Sequence, residues 1–515
     1  MEERTAAGAG PAAQGQGHGE VWLFWSCFIA LIATAFGFII RSLIIDDWAR
    51  DFGLTETQKG EILGVGLWPF AVSIVLFSLI IDRIGYGRAM VFAFACHVAS
   101  AFLTIFARNY AMLYAGTFIV ALGNGTVEAV INPVVATMFS RAKTQWLNIL
   151  HAGWPGGLVL GGVITLSMGD APWKFKVALI LIPTIVYGLM MFGRRFPVHE
   201  RVAAGVSYRA MLQELGIVGA LIIVALMVRE VGRFFAWGDV TQIIIIVAAV
   251  AAYGLYVRSL GRPMFIFLLL VMLPLATTEL GTDTWITDLL APIMRRSGWV
   301  LVYTSFIMMV LRFCAGPIVH RISPLGLLAL SAAIAAVGLF SLSLASGLGI
   351  FLAATLYGLG KTFFWPTTLG VVAERFPRGG ALTLNTIAGV GMLGVGILGS
   401  VFIGQNQDTR IDRMLAERNP ELHGQVQGEA RRSVFGEYRA LEPEKVSALG
   451  AAQKEEIQTI TAEAKKRALS TVAVLPVIMF ICYVILILYF RGRGGYRALD
   501  IREAEAAGSG PARAG

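Results

Sequence analysis

The stretch GNGTVEAVINPVVATMF, Gly123 to Phe139, sets a glutamate, two asparagines and a proline inside a long apolar run. Asn124, Glu128 and Asn132 are spaced four apart, so in a helix they share one face. Pro133 removes a helical N–H and leaves a carbonyl free, which membrane depth tolerates only against protein or a wet cavity. Gly123 and Gly125 allow another helix or a ligand to come close.

The rest of the chain supplies the membrane. Of 515 residues, 56% are hydrophobic and only 15% charged, a composition that excludes an ordinary soluble domain and reads as an all-α integral membrane protein. Apolar runs of roughly 20 residues, enough to cross a bilayer, begin near Val21, Gly60, Ala89, Met112, Trp146 and Phe175. Two more follow, Leu215 to Val228 and Val240 to Val257, and then six beginning near Met264, Trp299, Leu325, Gly349, Ala381 and Leu469. The expected plan is about fourteen transmembrane helices arranged six, two, six.

Met1 to Glu20 carries no basic region, so Val21 to Ile45 is read as a spanning helix and not a cleaved signal peptide. The net charge of +9 comes without a basic, aromatic-interleaved stripe, which argues against a nucleic-acid partner. The basic residues sit in short loops: Arg83 and Arg88, Arg141 and Lys143, Arg194, Arg195, Arg201 and Arg209, Arg258 and Arg262, Arg375 and Arg378, and Arg491 to Arg502. By the positive-inside rule both termini are cytoplasmic and the chain is a multi-pass protein of the plasma (inner) membrane, with Arg295 and Arg296 a local exception. Cys27, Cys96, Cys314 and Cys482 stand singly in apolar segments, without metal-site spacing, and read as small packing residues. No cofactor or metal is expected, and no phosphate loop, HExxH or GxSxG constellation points to an enzyme.

Short matches relate the two outer sets of helices. Asp46-Asp47-Trp48 recurs as Asp283-Thr284-Trp285, Asp82-Arg83-Ile84 as His320-Arg321-Ile322, Gly123-Asn124-Gly125 as Gly358-Leu359-Gly360, and Leu147-Asn148 as Leu384-Asn385. Four matches in order at one offset, about 235 to 238, indicate a duplicated six-helix unit, as in carriers whose bundles rock about a site between them. The expected divisions are a tail at 1–20, a bundle at 21–195, a linker with two extra helices at 196–262, a second bundle at 263–490 and a tail at 491–515. Within the second bundle, 405–467 is a polar, non-cytoplasmic insert. It reads as a solvated helical loop or as a lid or docking element, and from about Pro443 its composition predicts a helix running into the last span.

A charge in a transmembrane helix costs roughly 2.5 to 3.5 kcal/mol on insertion scales, so each needs a partner or a purpose. Arg41, Glu128, Glu279 and Lys361 fall on helices one, four, one and four of the two repeats. They either form two ion pairs holding the halves together or line a site that changes between states. Arg312 is a fifth charge, placed as a counter-ion for Glu279 or Asp283. His97, without a polar neighbour at helical spacing, is read as satisfied or lipid-proximal, while Asn148 and His151 share a face of the fifth run.

Ser78-Leu-Ile-Ile-Asp82-Arg83-Ile-Gly85-Tyr86-Gly87-Arg88 resembles the loop motif G-x-x-x-D-R-x-G-R-R/K of the major facilitator superfamily, with Ser78 for its first Gly and Tyr86 for an Arg. Gly316-Pro-Ile-Val-His320-Arg321 resembles its degenerate second copy. The resemblance implies two six-helix bundles, a cavity lined by helices one, four, seven and ten, alternating access, and a gating role for Asp82, Arg83, Gly85, Arg88 and Arg321. Glu128-Ala-Val-Ile-Asn132-Pro133 is similar to the E-x-x-x-N-P of the fucose:proton symporter family, and Trp365-Pro366-Thr367 resembles its F-P-T. That implies sugar and proton handling at Glu128; the family's acidic residue in helix one has no match, since Arg41 stands there and Asp46 and Asp47 lie near the helix end. The extra helix pair resembles proton-coupled peptide transporters and fourteen-helix drug antiporters.

The expected function is secondary active symport of a small polar solute, a sugar first, with a proton or sodium ion. Asn124, Glu128, Asn132, Asn148 and Asn385 would bond hydroxyls, Trp285 or Trp365 would stack on a ring, and Lys361 would line the site. Glu128 or Glu279 would take the proton, with Asp283 and Asp46 as further coupling candidates and Arg41, Arg312 and Lys361 as charge partners. The rival readings are an organic-anion carrier using Arg41, Arg312 and Lys361, a drug:proton antiporter drawing on Gly153-Trp-Pro155-Gly156-Gly157, and a non-transporting receptor or scaffold built on the insert. The expected partners are the solute, the cation and the lipid bilayer, and the expected state is a monomer.

Overall fold

A computed structural model describes residues 18–290 and 298–501. Arg295 and Arg296 lie outside the described residues, as does the side chain of Trp285. Helices form along the long apolar runs, and some of their starts carry a capping side chain. The Asn109 side chain accepts from the Met112 N–H at 3.0 Å, the Ser207 hydroxyl from Ala210 at 3.1 Å, and the Ser323 hydroxyl from Gly326 at 3.2 Å, so three helix starts are fixed by local sequence.

The first half comprises α1 (Gly19–Phe52), α2 (Gln58–Ile84), α3 (Tyr86–Ile105), α4 (Tyr110–Met138), α5 (Lys143–Ser167) and α6 (Trp173–Met191). The intervening pair is α7 (Tyr208–Phe234) and α8 (Asp239–Val257). The second half comprises α9 (Pro263–Thr284), α10 (Trp299–Phe313), α11 (Pro324–Leu344), the broken run α12 (Gly349–Lys361) and α13 (Phe364–Arg375), α14 (Pro377–Arg418) and α15 (Ala451–Arg491). Among the described residues twelve helices are long and apolar enough to cross a membrane, against an expectation of about fourteen. The difference lies in α10, which is shorter, and in the run from Gly349, which is interrupted between Lys361 and Phe364.

Among the contacts between the halves, two seams are related by the repeat. α2 packs on α14, with Gly389 against Val75 and Ile74, and α5 packs on α10, with Gly156 against Met309 and Gly162 against Val302. In each seam the second helix of one repeat meets the fifth of the other. Small residues there let backbones approach, since bilayer lipid supplies no hydrophobic drive between helices.

The α7/α8 pair is fastened where α7 bends. Gly216 (φ 63°) and Gly261 (φ 100°) pass so closely that a Cβ on Gly216 would lie 2.0 Å from the Gly261 nitrogen, so only glycine fits. Ile217 N–H donates to Ser259 O at 2.8 Å across this crossing, and Arg262 pairs with the buried Glu214 at 3.0 Å. α7 rests on α9 and α14, while α8 exposes Val240, Ile243, Ile244, Val247 and Leu255.

The insert is more ordered than a solvated loop. α14 runs on to Arg418, and the helix expected from Pro443 forms from Ala451 and continues into the last span. Between them an antiparallel hairpin, β1 (Gln427–Ser433) with β2 (Gly436–Leu441), departs from the all-helical expectation. Met414, Leu415, Leu422, Val426, Ile457 and Ile460 give the insert its own small core. Cys27 and Cys96 are packed as expected, whereas Cys314 is exposed.

Candidate functional site

Three prolines at the centre of the molecule each cancel one helical hydrogen bond, and each freed carbonyl is taken by a side chain. Pro133 in α4 leaves the Ala129 carbonyl, which accepts from Asn385 Nδ2 at 3.1 Å. Pro155 in α5 leaves the His151 carbonyl, which accepts from Arg312 Nη1 at 2.8 Å. Pro366 at the start of α13 leaves the Thr362 carbonyl, which accepts from Arg312 Nε at 2.7 Å. The first two bonds cross between halves. Pro133 and Pro366 each stand five residues after their helix's charge, Glu128 and Lys361, so the repeat is kept in the breaks as well as in the charges.

Glu279 completes the break from α9. It sits in the middle of a wide π turn, Thr277–Gly281, a distortion that often marks functional sites. One carboxylate oxygen accepts from Arg312 Nη2 at 2.8 Å and the other from the Trp365 N–H at 3.1 Å, a donor the interrupted helix has released. Arg312 is thus satisfied by three groups on three segments, one of them in the opposite half. Asp283, one turn beyond Glu279, pairs with Lys361, whose Nζ lies 4.9 Å from the centre of the Tyr357 ring. The Tyr357 hydroxyl donates to Thr278 O at 2.8 Å, using a carbonyl within the π turn.

Across the interface, Asn132 Nδ2 donates to Glu128 Oε2 at 2.6 Å and to the Glu128 carbonyl at 3.1 Å, and Asn132 Oδ1 meets His151 Nε2 at 2.9 Å. Asn148 Nδ2 donates to Thr367 Oγ1 in the other half at 3.1 Å. The amide oxygens of Asn148 and Asn385, equivalent residues of the two repeats, are both buried without a hydrogen-bond partner among the described residues. Such orphaned acceptors normally require a donor. The Trp365 ring packs at Gly391, where a Cβ would come within 2.9 Å of it.

The expected residues do not all converge. Glu128, Asn132, Asn148, Lys361, Trp365, Asn385, Glu279, Asp283 and Arg312 lie at or beside the junction. Asn124 is bonded instead to His97 at 2.9 Å, and His97 also meets the Tyr187 hydroxyl at 3.1 Å, so this histidine is satisfied within the first half. Arg41 donates to Gly37 O at 2.9 Å and Ser100 Oγ at 2.8 Å. Asp46 is exposed at the end of α1 and pairs with Lys59 at 2.8 Å. Of the two readings of these charges, ion pairs between the halves do not form among the described residues: Glu279–Arg312 and Asp283–Lys361 both lie within the second half. Among the described residues neither Glu128 nor Arg41 forms an ion pair, because their helices bring amide and hydroxyl partners instead.

The motif loop belongs to a closure at the end carrying the linker 192–207. Asp82 pairs with Arg201, the Arg83 guanidinium lies 5.2 Å from the Tyr208 ring centre, and Gly85 takes φ 83° between α2 and α3. Arg88 and Arg321 are exposed. Lys143 pairs with Glu200 at 2.7 Å and donates to Ala373 O at 3.4 Å, and the Thr144 hydroxyl donates to Glu374 Oε1 at 2.5 Å, tying the halves. Burial pushes the His199 imidazole down to about 4, so its Nδ1 is free to accept the Arg201 N–H at 3.0 Å. His151 is legible in the sequence through the face it shares with Asn148, whereas Thr144, Glu374 and Arg201 are not, since their partners lie on other helices.

A family model described as the Major Facilitator Superfamily matches residues 26–401. A gentisate transporter of Corynebacterium glutamicum is 24% identical over 179 residues, 34% of this chain, and the match spans 40% of that relative's length. Among solved structures, the human organic anion transporter TETRAN superposes with a TM-score of 0.59 at 13% identity, covering 91% of this chain and 100% of that one. The Escherichia coli fucose:proton symporter does so with a TM-score of 0.55 at 13% identity, covering 89% and 98%. At such identity these two likenesses concern the fold.

Proposed function

From the premise that this chain belongs to the Major Facilitator Superfamily and is a membrane transporter, we propose that it moves a small hydroxylated solute, a sugar first, together with a proton. The observation that carries this reading is Glu128, a buried carboxyl between the halves that is hydrogen-bonded by Asn132 and, with Arg312 the cation acting on it from a distance, forms no ion pair among the described residues. A carboxylate so placed is costly to occlude when charged, and taking up a proton removes that cost. Asn148 and Asn385 offer unpartnered acceptors to solute hydroxyls, and Trp365 offers an apolar face.

In this reading both termini and the linker end are cytoplasmic, the outer sets of helices are the two moving bundles, and the described arrangement is closed toward the cytoplasm. The chain acts as a monomer. Uptake into proteoliposomes across a panel of sugars and organic acids, with proton and sodium gradients imposed separately, tests it. Proton-driven uptake of a sugar is the expected result, and uptake driven by sodium alone would overturn the proton assignment.

One observation favours a second reading, an organic anion as solute: two cations, Lys361 and Arg312, lie at the junction, and the gentisate transporter is a relative by sequence. A carboxylate would have to displace Asp283 from Lys361. Uptake of an organic acid that is lost in Lys361→Gln supports this reading, and uptake that survives the substitution removes it.

A further inference from the structure

We infer that His151 is a positioning residue: its ring fixes the direction of the Asn132 amide that holds Glu128, and its carbonyl ties that group to the opposite half. The inference rests on the reading that Glu128 takes up a proton.

The direction of the bonds follows from donor counting. The Asn132 amino group spends its two hydrogens on Glu128, one on Oε2 at 2.6 Å and one on the backbone carbonyl at 3.1 Å. Asn132 Oδ1 is therefore an acceptor, and His151 Nε2, 2.9 Å away, carries the hydrogen it accepts. The ring orients the amide, and the amide presents its hydrogens to the carboxylate. With the hydrogen on Nε2, reversing Asn132 would set its oxygen against Glu128 and its amino group against an N–H, so this tautomer of the ring holds the amide in one orientation.

The same residue faces the other half through its backbone. Pro155 strips the His151 carbonyl of its helical partner, and Arg312 Nη1 occupies it at 2.8 Å. The charged groups around His151 are thus Glu128 on α4, reached through Asn132, and Arg312 on α10. On α13 the group meeting α5 nearby is the uncharged Thr367, bonded to Asn148, while Glu374 lies farther along at Thr144. A change at Glu128 that loosens Asn132 releases the His151 ring, and movement of α5 then draws on the Arg312 contact. Separation of α5 from α10 acts on Glu128 by the same route.

The test reads Glu128 directly, in full-length protein purified in detergent. Its carboxyl infrared band, assigned by its absence in Glu128→Gln, is followed against pH in the wild type, His151→Gln and His151→Leu. Glutamine keeps an N–H donor near the position of Nε2 and does not titrate; leucine has no donor. The midpoint in His151→Gln should stay within about half a unit of wild type, and that in His151→Leu should move by about one unit, the size expected when a carboxylate loses an oriented amide donor. A midpoint displaced equally in both variants, or in neither, overturns the inference. Should His151→Leu not fold, His151→Ala, which also lacks a donor, takes its place against His151→Gln under the same criteria, and a displacement of a unit in His151→Gln means that the ring acts by its own charge or shape. Wild-type uptake indifferent to a proton gradient would strike the symport reading, while the infrared midpoints would still decide whether His151 positions Asn132.

Discussion

Asn385 donates its side-chain amide to the Ala129 carbonyl at 3.1 Å, and the two residues belong to opposite halves of the molecule. The carbonyl is available only because Pro133 has no N–H to give it. Proline and asparagine therefore act as one device, and their removal should be non-additive. Asn385→Ala should cost about 1 kcal/mol of thermal stability, and Pro133→Ala, which gives Ala129 an intrahelical donor, should cost a similar amount by stranding the Asn385 amide. The double variant should cost no more than either single one, a coupling that unfolding in detergent can read. Additive costs would show that the two residues act separately.

Glu128→Gln keeps hydrogen-bonding capacity toward Asn132 but cannot change charge. Proton-driven accumulation should be abolished, while counterflow exchange, which needs no net proton movement, should survive. Full active uptake by this variant would remove Glu128 from the coupling step.

The sequence made the membrane class, the duplicated halves and the polar character of α4 legible, because each is a local pattern: apolar period, repeat offset, charge inside an apolar run. Even the freed carbonyl at Pro133 could be anticipated. What could not be read was the identity of partners, which is a property of packing. Glu128 and Arg41 looked like members of ion pairs, yet the fold gives Glu128 an asparagine and Arg41 a serine and a carbonyl. Asn124 shares Glu128's helical spacing but is claimed by His97 from α3. The hairpin in the insert was missed because its strands alternate weakly and carry many charges, leaving mainly Gly436, at φ 108° beside the turn, as a local sign.

Arg312 bonds the Thr362 carbonyl, the His151 carbonyl and Glu279 at once, a task that needs a planar fork of donors. Lysine would preserve the charge opposite Glu279 but could not reach all three acceptors. Arg312→Lys should therefore lose most uptake, and Arg312→Met, which strands a buried carboxylate, should lose stability by about 3 to 5 kcal/mol. Near-normal uptake in Arg312→Lys would reduce the residue to a simple counter-ion.

His199 lies outside the membrane helices, and burial lowers it from 6.5 to about 4. A histidine with a depressed value contributes stability that is whole above about 6.5 and is lost as pH falls through about 4. The loss is at most about 3 kcal/mol for a displacement of this size. Thermal stability in detergent should fall across that window in the wild type. The fall should be smaller in His199→Asn, whose side-chain oxygen can still accept the Arg201 N–H. Identical pH profiles would show that His199 keeps water around it.

Glu374 closes the linker end from both sides: one carboxylate oxygen accepts from Thr144 of the first half at 2.5 Å and the other from the Tyr496 hydroxyl at 2.8 Å. The tail following α15 adds a Leu499 N–H to the Glu374 carbonyl at 2.8 Å and takes an Arg375 donor on the Arg497 carbonyl at 2.7 Å. Tyr496 thus restrains the carboxylate that Thr144 must find for the halves to stay together. Tyr496→Phe removes one hydrogen bond to a charged group while leaving the ring in place, so the closed arrangement should weaken several-fold. A cysteine at Thr137, beside Lys143, Glu200 and Ala373, reports the opening of this end. Its labelling in membranes should rise roughly five- to tenfold in Tyr496→Phe. Unchanged labelling would mean that Thr144 alone positions Glu374 and that the tail merely rests against the closure.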